Sequence, residues 1–416
     1  MRITFLSVGS RGDVQPLLGF AAALSEAGHE VRFAAFPKFE RMVGAAGLPF
    51  APLAEGRTRR SRTRGGEGAG PARARRGRTA TVGFIQDRRS VARRRLTDAL
   101  AACEHAEAIV AVELAMLLAW QVAEHLDLPL VRARLSPPPP IAGRPVARVL
   151  RQAAWLGVRP WLGTGRREAG LGRLPLREPL GQLDARRTLE LYAFSPAVVP
   201  DPARKGPWTH ITGFWFFDGA LDPEPPAELR EFIDAGSAPV CVGFGAMADE
   251  QPAAISALVL DALARAGQRG VLVGGLAGDG APARSSRALA VDAVSHSWLL
   301  ERCAAAVHHG GAGTTAAALR AGVPSVIVPH MIDQYGWGRR MHALGAGPPP
   351  LPRRRLKADR LAEAIAAAVE QARLRERAAA LGARIREEDG IASAVEVFER
   401  HMEGVAAPAP TEVINS

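Results

Sequence analysis

The chain has 416 residues, of which 47% are apolar and 23% are charged, so it can bury a large core and should divide into two or three domains. This composition excludes wholesale disorder, and the lack of an uncharged apolar run of eighteen residues argues against a membrane span. Arg11 and Asp13 stand too early for the apolar core of a signal peptide, so we expect a cytoplasmic protein.

The first half of the chain alternates apolar runs with amphipathic stretches. RITFLSVGS predicts a strand, the helix that follows has Pro16 in its first turn, and HEVRFAAF predicts a second strand. Together they predict a right-handed parallel βαβ unit. Next come a predicted helix over 90–106, strand AIVAV, a helix over 114–125, strand LPLVRA, helices and loops over 141–190, and a strand followed by a loop over 192–202.

Most of the positive charge lies in one segment of this half, from Arg57 to Arg95. It contains fourteen arginines against Glu67 and Asp87, a balance of +12 within a net charge of +11, so the rest of the chain is nearly neutral. The stretch 57–81 has no aromatic residue to stack on bases, and we expect no nucleic-acid partner. The segment is either a solvated loop or a peripheral contact with an anionic membrane.

A second alternation begins after a stretch rich in Gly, Pro and aromatic residues. It contains predicted strands PVCVGFG, GVLVGG, CAAAVHH and SVIVP, and predicted helices over 253–266, 314–320, 358–386 and 392–402. The fold class is therefore α/β, with two Rossmann-like, doubly wound domains. We predict an N-terminal domain over 1–207, a linker over 208–226, a C-terminal domain over 227–386, and a C-terminal helix and tail over 387–416 that can pack back on the first domain.

The three cysteines (Cys103, Cys241 and Cys303) are far apart in sequence and lie among apolar residues, with no CxxC pair. This pattern favours buried, reduced thiols over a disulfide framework or a zinc site.

In open parallel sheets, ligands bind beyond the carboxyl ends of the strands. The first such loop, GSRGDVQP, places Gly9, Ser10, Arg11 and Gly12 before Asp13 at the start of a helix. A carboxylate there can accept a proton from a substrate hydroxyl, or it can cap the helix. The residues alone leave both roles open.

The second loop, HHGGAGTT, follows an apolar strand and opens a helix. Small residues leave its amides accessible, so His308, Gly311, Ala312, Gly313, Thr314 and Thr315 are candidates for binding a diphosphate. The alternative is a glycine-rich turn packed against the sheet. Adjacent strand residues point to opposite faces, so His308 and His309 are not expected to share a metal ion.

The third loop, VPHMIDQYGWG, contains Asp333 and Gln334, which can hold sugar hydroxyls or cap a helix. Trp298 and Trp337 can stack on a ring, although such tryptophans more often belong to the core. A rival interpretation is a dinucleotide site for NAD, because Gly311, Gly313 and Ala316 fit GxGxxA and Asp333 follows Gly313 by twenty residues.

On these motifs the chain resembles the inverting, nucleotide-sugar-dependent glycosyltransferases of the GT-B fold, in the branch of bacterial sterol-glucosyltransferase-like and antibiotic glycosyltransferases. The resemblance rests on GSRGDVQP, on GFGAM at 243–247 and above all on the block from HHGGAGTT to GAG at 308–347. It spans nearly the whole chain.

The resemblance implies that Asp13 is the general base and that the loop from Gly9 to Gly12 faces the acceptor. It further implies that His308 and the 311–315 turn bind the donor diphosphate, and that Asp333 and Gln334 hold the donor sugar. The nucleobase would lie near Val294, His296 and Trp298. Catalysis would take place in the cleft between the two halves.

The implied activity is that of a hexosyltransferase with a UDP- or TDP-sugar as co-substrate, without a metal or another cofactor. The implied acceptor is a lipophilic natural-product aglycone, with a sterol or membrane lipid as the second choice. Three residues depart from the family pattern, namely Ala246 for Ser, Ser295 for Pro and Ser297 for Asp, which leaves the preferred donor open. A non-catalytic binding protein with the same fold is the alternative of another class.

Overall fold

The computed structural model describes residues 1–56, 77–137, 145–186, 188–200, 206–217, 224–245, 252–277 and 285–406. For residues 77–89 it describes only the helical backbone. The predictions for Ala246, for most of the arginine-rich segment and for the tail after residue 406 lie outside the described residues.

Seven strands form the first sheet, in the order β3-β2-β1-β4-β5-β6-β7. They are β1 (Arg2–Leu6), β2 (Glu30–Ala35), β3 (Phe50–Pro52), β4 (Ala108–Val112), β5 (Leu130–Arg134), β6 (Glu190–Tyr192) and β7 (Thr209–Ile211). Strand β1 pairs in parallel with both β2 and β4. Strand β4, with the sequence AIVAV, is buried at every residue, as a central parallel strand with both faces covered should be.

The helices of this half confirm the predicted βαβ start, but the first of them begins earlier than predicted, so Pro16 is its sixth residue rather than part of its first turn. They are α1 (Arg11–Glu26), α2 (Glu40–Ala45), α3 (Gly77–Ala102), α4 (Met116–Leu126), α5 (Pro145–Glu168) and α6 (Leu180–Ala185). Phe5 of β1 stacks on Phe33 of β2, with ring centroids 5.9 Å apart, and meets Phe20 of α1 edge-on at 5.6 Å. The apolar positions that predicted this unit therefore form its core.

The second sheet has five strands in the order β10-β9-β8-β11-β12, all parallel. They are β8 (Val240–Gly243), β9 (Gly270–Val273), β10 (Ala288–Val291), β11 (Ala305–His308) and β12 (Ser325–Ile327). Because β8, β11 and β12 are neighbours, the loops that follow them leave the same edge of the sheet.

The remaining helices are α7 (Ala227–Asp234), α8 (Pro252–Arg265), α9 (His296–Leu300), α10 (Ala312–Ala321), α11 (Ile332–Leu344), α12 (Ala358–Glu370), α13 (Ala372–Arg386) and α14 (Gly390–Ala406). Short 3-10 turns occur at Pro37–Phe39, Glu113–Ala115, Gly274–Ala277 and Arg353–Arg355. The prediction of one helix over 358–386 is wrong at Gln371, whose extended backbone (φ −72°, ψ 107°) separates α12 from α13.

Helix α13 packs very closely on the end of α10. A Cβ atom added to Gly382 of α13 would lie 2.8 Å from both the Cα atom of Gly322 and the carbonyl oxygen of Leu319. Only a hydrogen atom fits there, so glycine at 382 sets how near the two helices approach.

The chain forms two compact units. The first comprises Met1–Ala133, Ile141–Glu190 and Lys205–Trp208, and the second comprises Arg134–Pro140, Leu191–Arg204 and Thr209–Ser416. The predicted linker over 208–226 contains strand β7, so part of it is regular structure. Helix α14, in the predicted C-terminal segment, belongs to the second unit.

No helix among the described residues is long and apolar enough to cross a membrane. The three cysteines are buried and free of disulfides, as the sequence predicts. Burial raises the pKa of Cys103 to about 12. A hydrogen bond with Cys241, together with burial, raises the pKa of Cys303 well above its ordinary value.

Candidate functional site

The loop after β1 holds the Asp13 carboxylate by hydrogen bonds within its own helix terminus. Oδ2 of Asp13 accepts hydrogen bonds from the backbone N–H of Ser10 at 2.7 Å and from its Oγ at 2.9 Å. Gly9 has φ +151°, and a Cβ atom there would lie 2.4 Å from Oδ2 of Asp13. A side chain at position 9 would therefore displace the carboxylate.

Asp13 is half-buried, whereas Ser10, Arg11 and Gly12 are exposed. The Arg11 guanidinium donates to Oε1 of Gln15 at 2.9 Å, one helical turn further on. The capping role of Asp13 is thus confirmed. Because a carboxylate offers about four lone-pair positions, capping leaves room for the proton-accepting role, which stays a prediction.

The loop after β11 presents the N-terminus of α10. Gly311 is the N-cap, and the first bond inside the helix runs from the Thr315 N–H to the Gly311 carbonyl at 2.9 Å. The N–H groups of Ala312, Gly313 and Thr314 consequently have no acceptor within the helix. No side chain caps this end and its first turn holds no acidic residue, so the positive end of the helix is not neutralised by its own residues.

Glycine is required at one position of this loop, and a side chain at the next position would displace the His309 ring. Gly310 has φ +87°, and a Cβ atom there would lie 2.8 Å from Cγ2 of Ile327 and 3.1 Å from the Gln334 carbonyl oxygen. A Cβ atom on Gly311 would lie 2.4 Å from Nε2 of His309. The turn is tight because neighbouring residues occupy the space that side chains would need.

His308 lies inside the protein, with only 1% of its surface exposed. Its Nδ1 accepts the Gly310 N–H at 3.2 Å, so the proton of the neutral ring is on Nε2. Burial lowers the pKa of His308 to about 3, and the charges of His309 and His296 contribute to the shift. The side chain is therefore neutral at physiological pH.

His309 is the first residue beyond β11 and is not among the predicted binding residues. Its half-buried ring lies against Gly311 and Gly245, since a Cβ atom on Gly245 would be 3.0 Å from its Cε1. Burial lowers the pKa of His309 to about 4. Its place directly after the strand, next to paired glycines, is the signal that could have identified it.

Thr314 and Thr315 are placed differently. Thr314 is half-buried, whereas Thr315 is fully buried. Within the described part of the chain, three buried polar atoms of this loop have no hydrogen-bond partner: His308 Nε2, His309 Nδ1 and Thr315 Oγ1. Each such atom costs about 1–3 kcal/mol. Their concentration in one loop is typical of a functional site.

The loop after β12 uses Gln334 as a cap for α11. Oε1 of Gln334 accepts hydrogen bonds from the N–H groups of His330 at 2.7 Å and Met331 at 3.0 Å. Gln334 is buried and Asp333 is exposed in the first turn. The capping interpretation is confirmed for Gln334, and the sugar-binding roles of both residues stay predictions.

The predicted nucleobase region surrounds the short helix α9. Val294 is buried, His296 is exposed, and the half-buried Trp298 has the Arg302 guanidinium 4.5 Å from a ring centroid. Ser295, one of the departures from the family pattern, caps α9 by accepting the Trp298 N–H at 3.4 Å. The serine at this position therefore has a local structural use.

Trp337 belongs to the core, which was the alternative to stacking on a ligand ring. It is fully buried, and its ring lies 6.4 Å from that of Phe194 and 6.3 Å from that of Phe214. Ring stacking on a ligand by Trp337 is therefore excluded.

The second unit thus gathers the loops after β8, β11 and β12 at one sheet edge, where the rings of Phe244 and His330 lie 5.6 Å apart. This edge offers helix amides and two neutral imidazoles. Within the described ranges, no three His, Cys, Asp or Glu side chains are grouped so that they could hold a metal ion.

Two family models match the chain, one in each half. Residues 3–138 match the glycosyltransferase family 28 N-terminal domain. Residues 285–416 match the C-terminal domain of the erythromycin biosynthesis protein CIII-like family.

Two sterol 3-beta-glucosyltransferases of Arabidopsis thaliana are each 33% identical to the chain and cover 97% of it. The chain spans 66% of the length of the first and 68% of the second. A sterol 3-beta-glucosyltransferase of Aspergillus fumigatus is 31% identical over 97% of the chain, which spans 30% of that protein.

Solved structures share the fold. The calicheamicin glycosyltransferase CalG4 superposes with a TM-score of 0.71 at 20% identity, over 98% of this chain and 99% of CalG4. The glycosyltransferase SsfS6 of Streptomyces sp. SF2575, solved with thymidine diphosphate, superposes with a TM-score of 0.61 at 23% identity, over 96% of this chain and 99% of SsfS6. Sequence relatives and fold agree, and the chain belongs to the GT-B glycosyltransferase family that includes the sterol 3-beta-glucosyltransferases of Arabidopsis thaliana.

Proposed function

We propose that this chain is an inverting, metal-independent glycosyltransferase that moves a sugar from a UDP- or TDP-sugar to a hydroxyl of a lipophilic natural-product aglycone. The observation that carries the proposal is the uncapped N-terminus of α10, whose first three N–H groups have no acceptor within the helix. Such a terminus binds anions such as a diphosphate.

The donor would be held by the three loops of the second unit. The amides of Ala312, Gly313 and Thr314 would donate to the diphosphate, with His308 and His309 as neutral partners. Asp333 and Gln334 would hold the sugar, and the Val294–Trp298 region would take the nucleobase. The thymidine diphosphate bound to SsfS6 supports a nucleoside diphosphate as ligand, without deciding between uridine and thymidine.

The reaction would be a single displacement. The Asp13 carboxylate accepts the proton of the acceptor hydroxyl, and the oxygen forms a bond to the anomeric carbon from the side opposite the diphosphate. The bond between that carbon and the diphosphate oxygen breaks, and the leaving group keeps the electron pair. Helix amides stabilise the charge that develops on it, so no step needs a metal ion.

The acceptor class has two candidates. The glycosyltransferases that share the fold support an aglycone, because one of them, the spinosyn rhamnosyltransferase SpnG, was solved with the spinosyn aglycone. The second candidate is a sterol, which the sterol 3-beta-glucosyltransferases at 33% identity support. Both are lipophilic alcohols, so one acceptor panel tests both.

The proposal is tested with a thermal-shift panel of UDP, TDP and NAD(H), followed by nucleotide release from UDP- and TDP-sugars with both acceptor classes. A ligand at a hundred times its Kd raises stability by about 2.7 kcal/mol. Stabilisation by UDP or TDP, and transfer to an acceptor, is the expected result. Stabilisation by NAD(H) alone contradicts the proposal. Nucleotide binding with neither transfer nor slow donor hydrolysis would identify a non-catalytic binding protein.

A further inference from the structure

Helix α5 carries an uncovered apolar face. Seven positions in its first sixteen residues recur at helical spacing of three and four, and all seven are exposed: Val146, Val149, Leu150, Ala153, Leu156, Gly157 and Pro160. We call them the α5 apolar face. Val149 and Leu150 are 66% and 52% exposed, far above the usual exposure of such side chains.

The rest of the helix is packed, so this face is not the result of a loosely placed element. Trp155, on the opposite side, is buried and meets the Trp120 ring at 90° with centroids 6.2 Å apart. Its indole N–H donates to the Pro175 carbonyl at 3.1 Å, and Arg159 donates to the Leu174 carbonyl at 2.9 Å. The helix therefore presents the apolar face from a fixed orientation.

The segment that packs along α5 contains one more exposed leucine. The Gln152 side chain donates to the Leu176 carbonyl at 2.9 Å, while the Leu176 side chain is 68% exposed. Scattered exposed leucines are common, but large apolar side chains clustered on one helix and its neighbouring segment mark an interaction site.

The charge around this surface is strongly positive. Residues 145–178 contain seven arginines and two glutamates. Both glutamates are already paired, Glu168 with Arg93 at 3.3 Å and Glu178 with Arg151 at 3.0 Å. Four arginines of this stretch are exposed: Arg148, Arg167, Arg173 and Arg177.

We propose that the α5 apolar face docks on an anionic phospholipid surface. An exposed apolar helix face with arginines around it is the combination that binds the interface of such membranes, with apolar burial and charge attraction acting together. A second copy of the chain is disfavoured, because two surfaces with the same positive charge would repel each other. This inference does not depend on the proposed function, and its test measures lipid binding rather than turnover.

The test is sedimentation of the full chain with vesicles of phosphatidylglycerol mixed with phosphatidylcholine, and with phosphatidylcholine alone. We expect sedimentation with the mixed vesicles at low salt, and release as salt rises. The variant Val149→Ser/Leu150→Ser removes apolar surface without changing charge and should weaken partitioning about tenfold or more. Leu156→Ser, at a third position of the face, should act in the same direction.

The matched control is Leu114→Ser, which changes an equally exposed leucine (65%) outside α5 and should sediment like the unchanged chain. Arg173→Gln/Arg177→Gln should weaken binding and flatten its salt dependence.

Three results would overturn the proposal. The first is that the chain does not sediment with the mixed vesicles. The second is that the serine variants sediment as well as the unchanged chain. The third is that light scattering shows a dimer for the unchanged chain and a monomer for the serine variants. The second result would assign lipid binding to charge alone, for example to the arginine-rich segment.

Discussion

The loops after β1 and β11 are built alike, since each leads from a parallel strand through glycine into a helix. They differ in what neutralises the helix terminus. In α1 the third helical residue is Asp13, whose carboxylate bonds back to Ser10. In α10 the third helical residue is Thr314, and neither a carboxylate nor a capping side chain is present.

The two helix termini therefore differ in local charge, although the backbone leads into each helix in a similar way. A terminus that carries its own carboxylate has an internal partner for its positive end, and in α1 the hydrogen bonds from Ser10 hold that carboxylate in place. A terminus without one is left to bind an anion from outside. The contrast can therefore be tested by removing the carboxylate at position 13 and by introducing one at position 314.

Removing the carboxylate from the first loop should have the largest effect. In Asp13→Asn the amide oxygen can still accept from Ser10, so the fold is retained. Loss of the base should lower kcat by about 10²–10⁴. Turnover is measured by nucleotide release. Donor binding, measured by calorimetry, should be unchanged. Ser10→Ala, which keeps the carboxylate, is the control and should lose much less. Near-normal turnover in Asp13→Asn would exclude the base role.

A carboxylate introduced into the second loop should give α10 an internal cap like that of α1 and weaken diphosphate binding. In Thr314→Asp the new side chain would cap α10 and repel a diphosphate, and one charge at about 6 Å weakens binding about a hundredfold at an effective dielectric constant near 20. Thr314→Asn caps without charge and separates the two effects. UDP and TDP affinities measure the change. Equal weakening in both variants would show that charge is not the cause.

The tight turn of the second loop should be sensitive to a single methyl group. Gly310→Ala must adopt φ +87° and place its Cβ atom 2.8 Å from Ile327, so we expect a loss of about 2 kcal/mol in the free energy of unfolding. Gly275→Ala, where a Cβ atom meets nothing within 4 Å, is the control. Urea denaturation measures both. Equal stability of the two variants would contradict the packing described for this turn.

The buried imidazoles should make stability depend on pH. In the unfolded chain a histidine binds its proton near pH 6.5, whereas His308 in the folded protein does so only near pH 3. Between these values the unfolded state holds more protons, so stability falls as pH falls, by up to about 1.4 kcal/mol per pH unit for each such group. Thermal midpoints between pH 7 and pH 4 should fall less steeply in His308→Asn than in the unchanged chain. Parallel curves would show that the folded His308 titrates normally.

Much of the fold could be predicted from the sequence, because its central strands are continuous apolar runs and its helices begin at recognisable turns. The sequence does not predict strands β3, β7 and β10. These have only three or four residues, and each is recognised by its pairing partner rather than by an apolar run of its own. The break at Gln371 was missed for a related reason. The region is rich in good helix formers, and no proline or glycine marks position 371.

For the site, the sequence identified the three loops but not the environment of each side chain. That Gln334 caps its own helix follows from local spacing, which the sequence could suggest. That His308 is buried while His309 lies against Gly245 depends on β8, a strand more than sixty residues earlier in the chain. Burial of this kind comes from tertiary packing, which one sequence does not display.

The contact between Gly322 and Gly382 has a consequence for the opposite end of α10. A ten-residue helix is a stiff rod of about 15 Å, with its uncapped amides at one end and the glycine contact at the other. A methyl group at position 382 would push the C-terminal end of α10 away from α13. The helix would tilt, and the amides at its N-terminus would move. The direction of the N-terminus of α10 is therefore set in part by its contact with α13. Under the proposed function, we expect a substitution at position 382 to change donor affinity although it lies one helix length away from the amides.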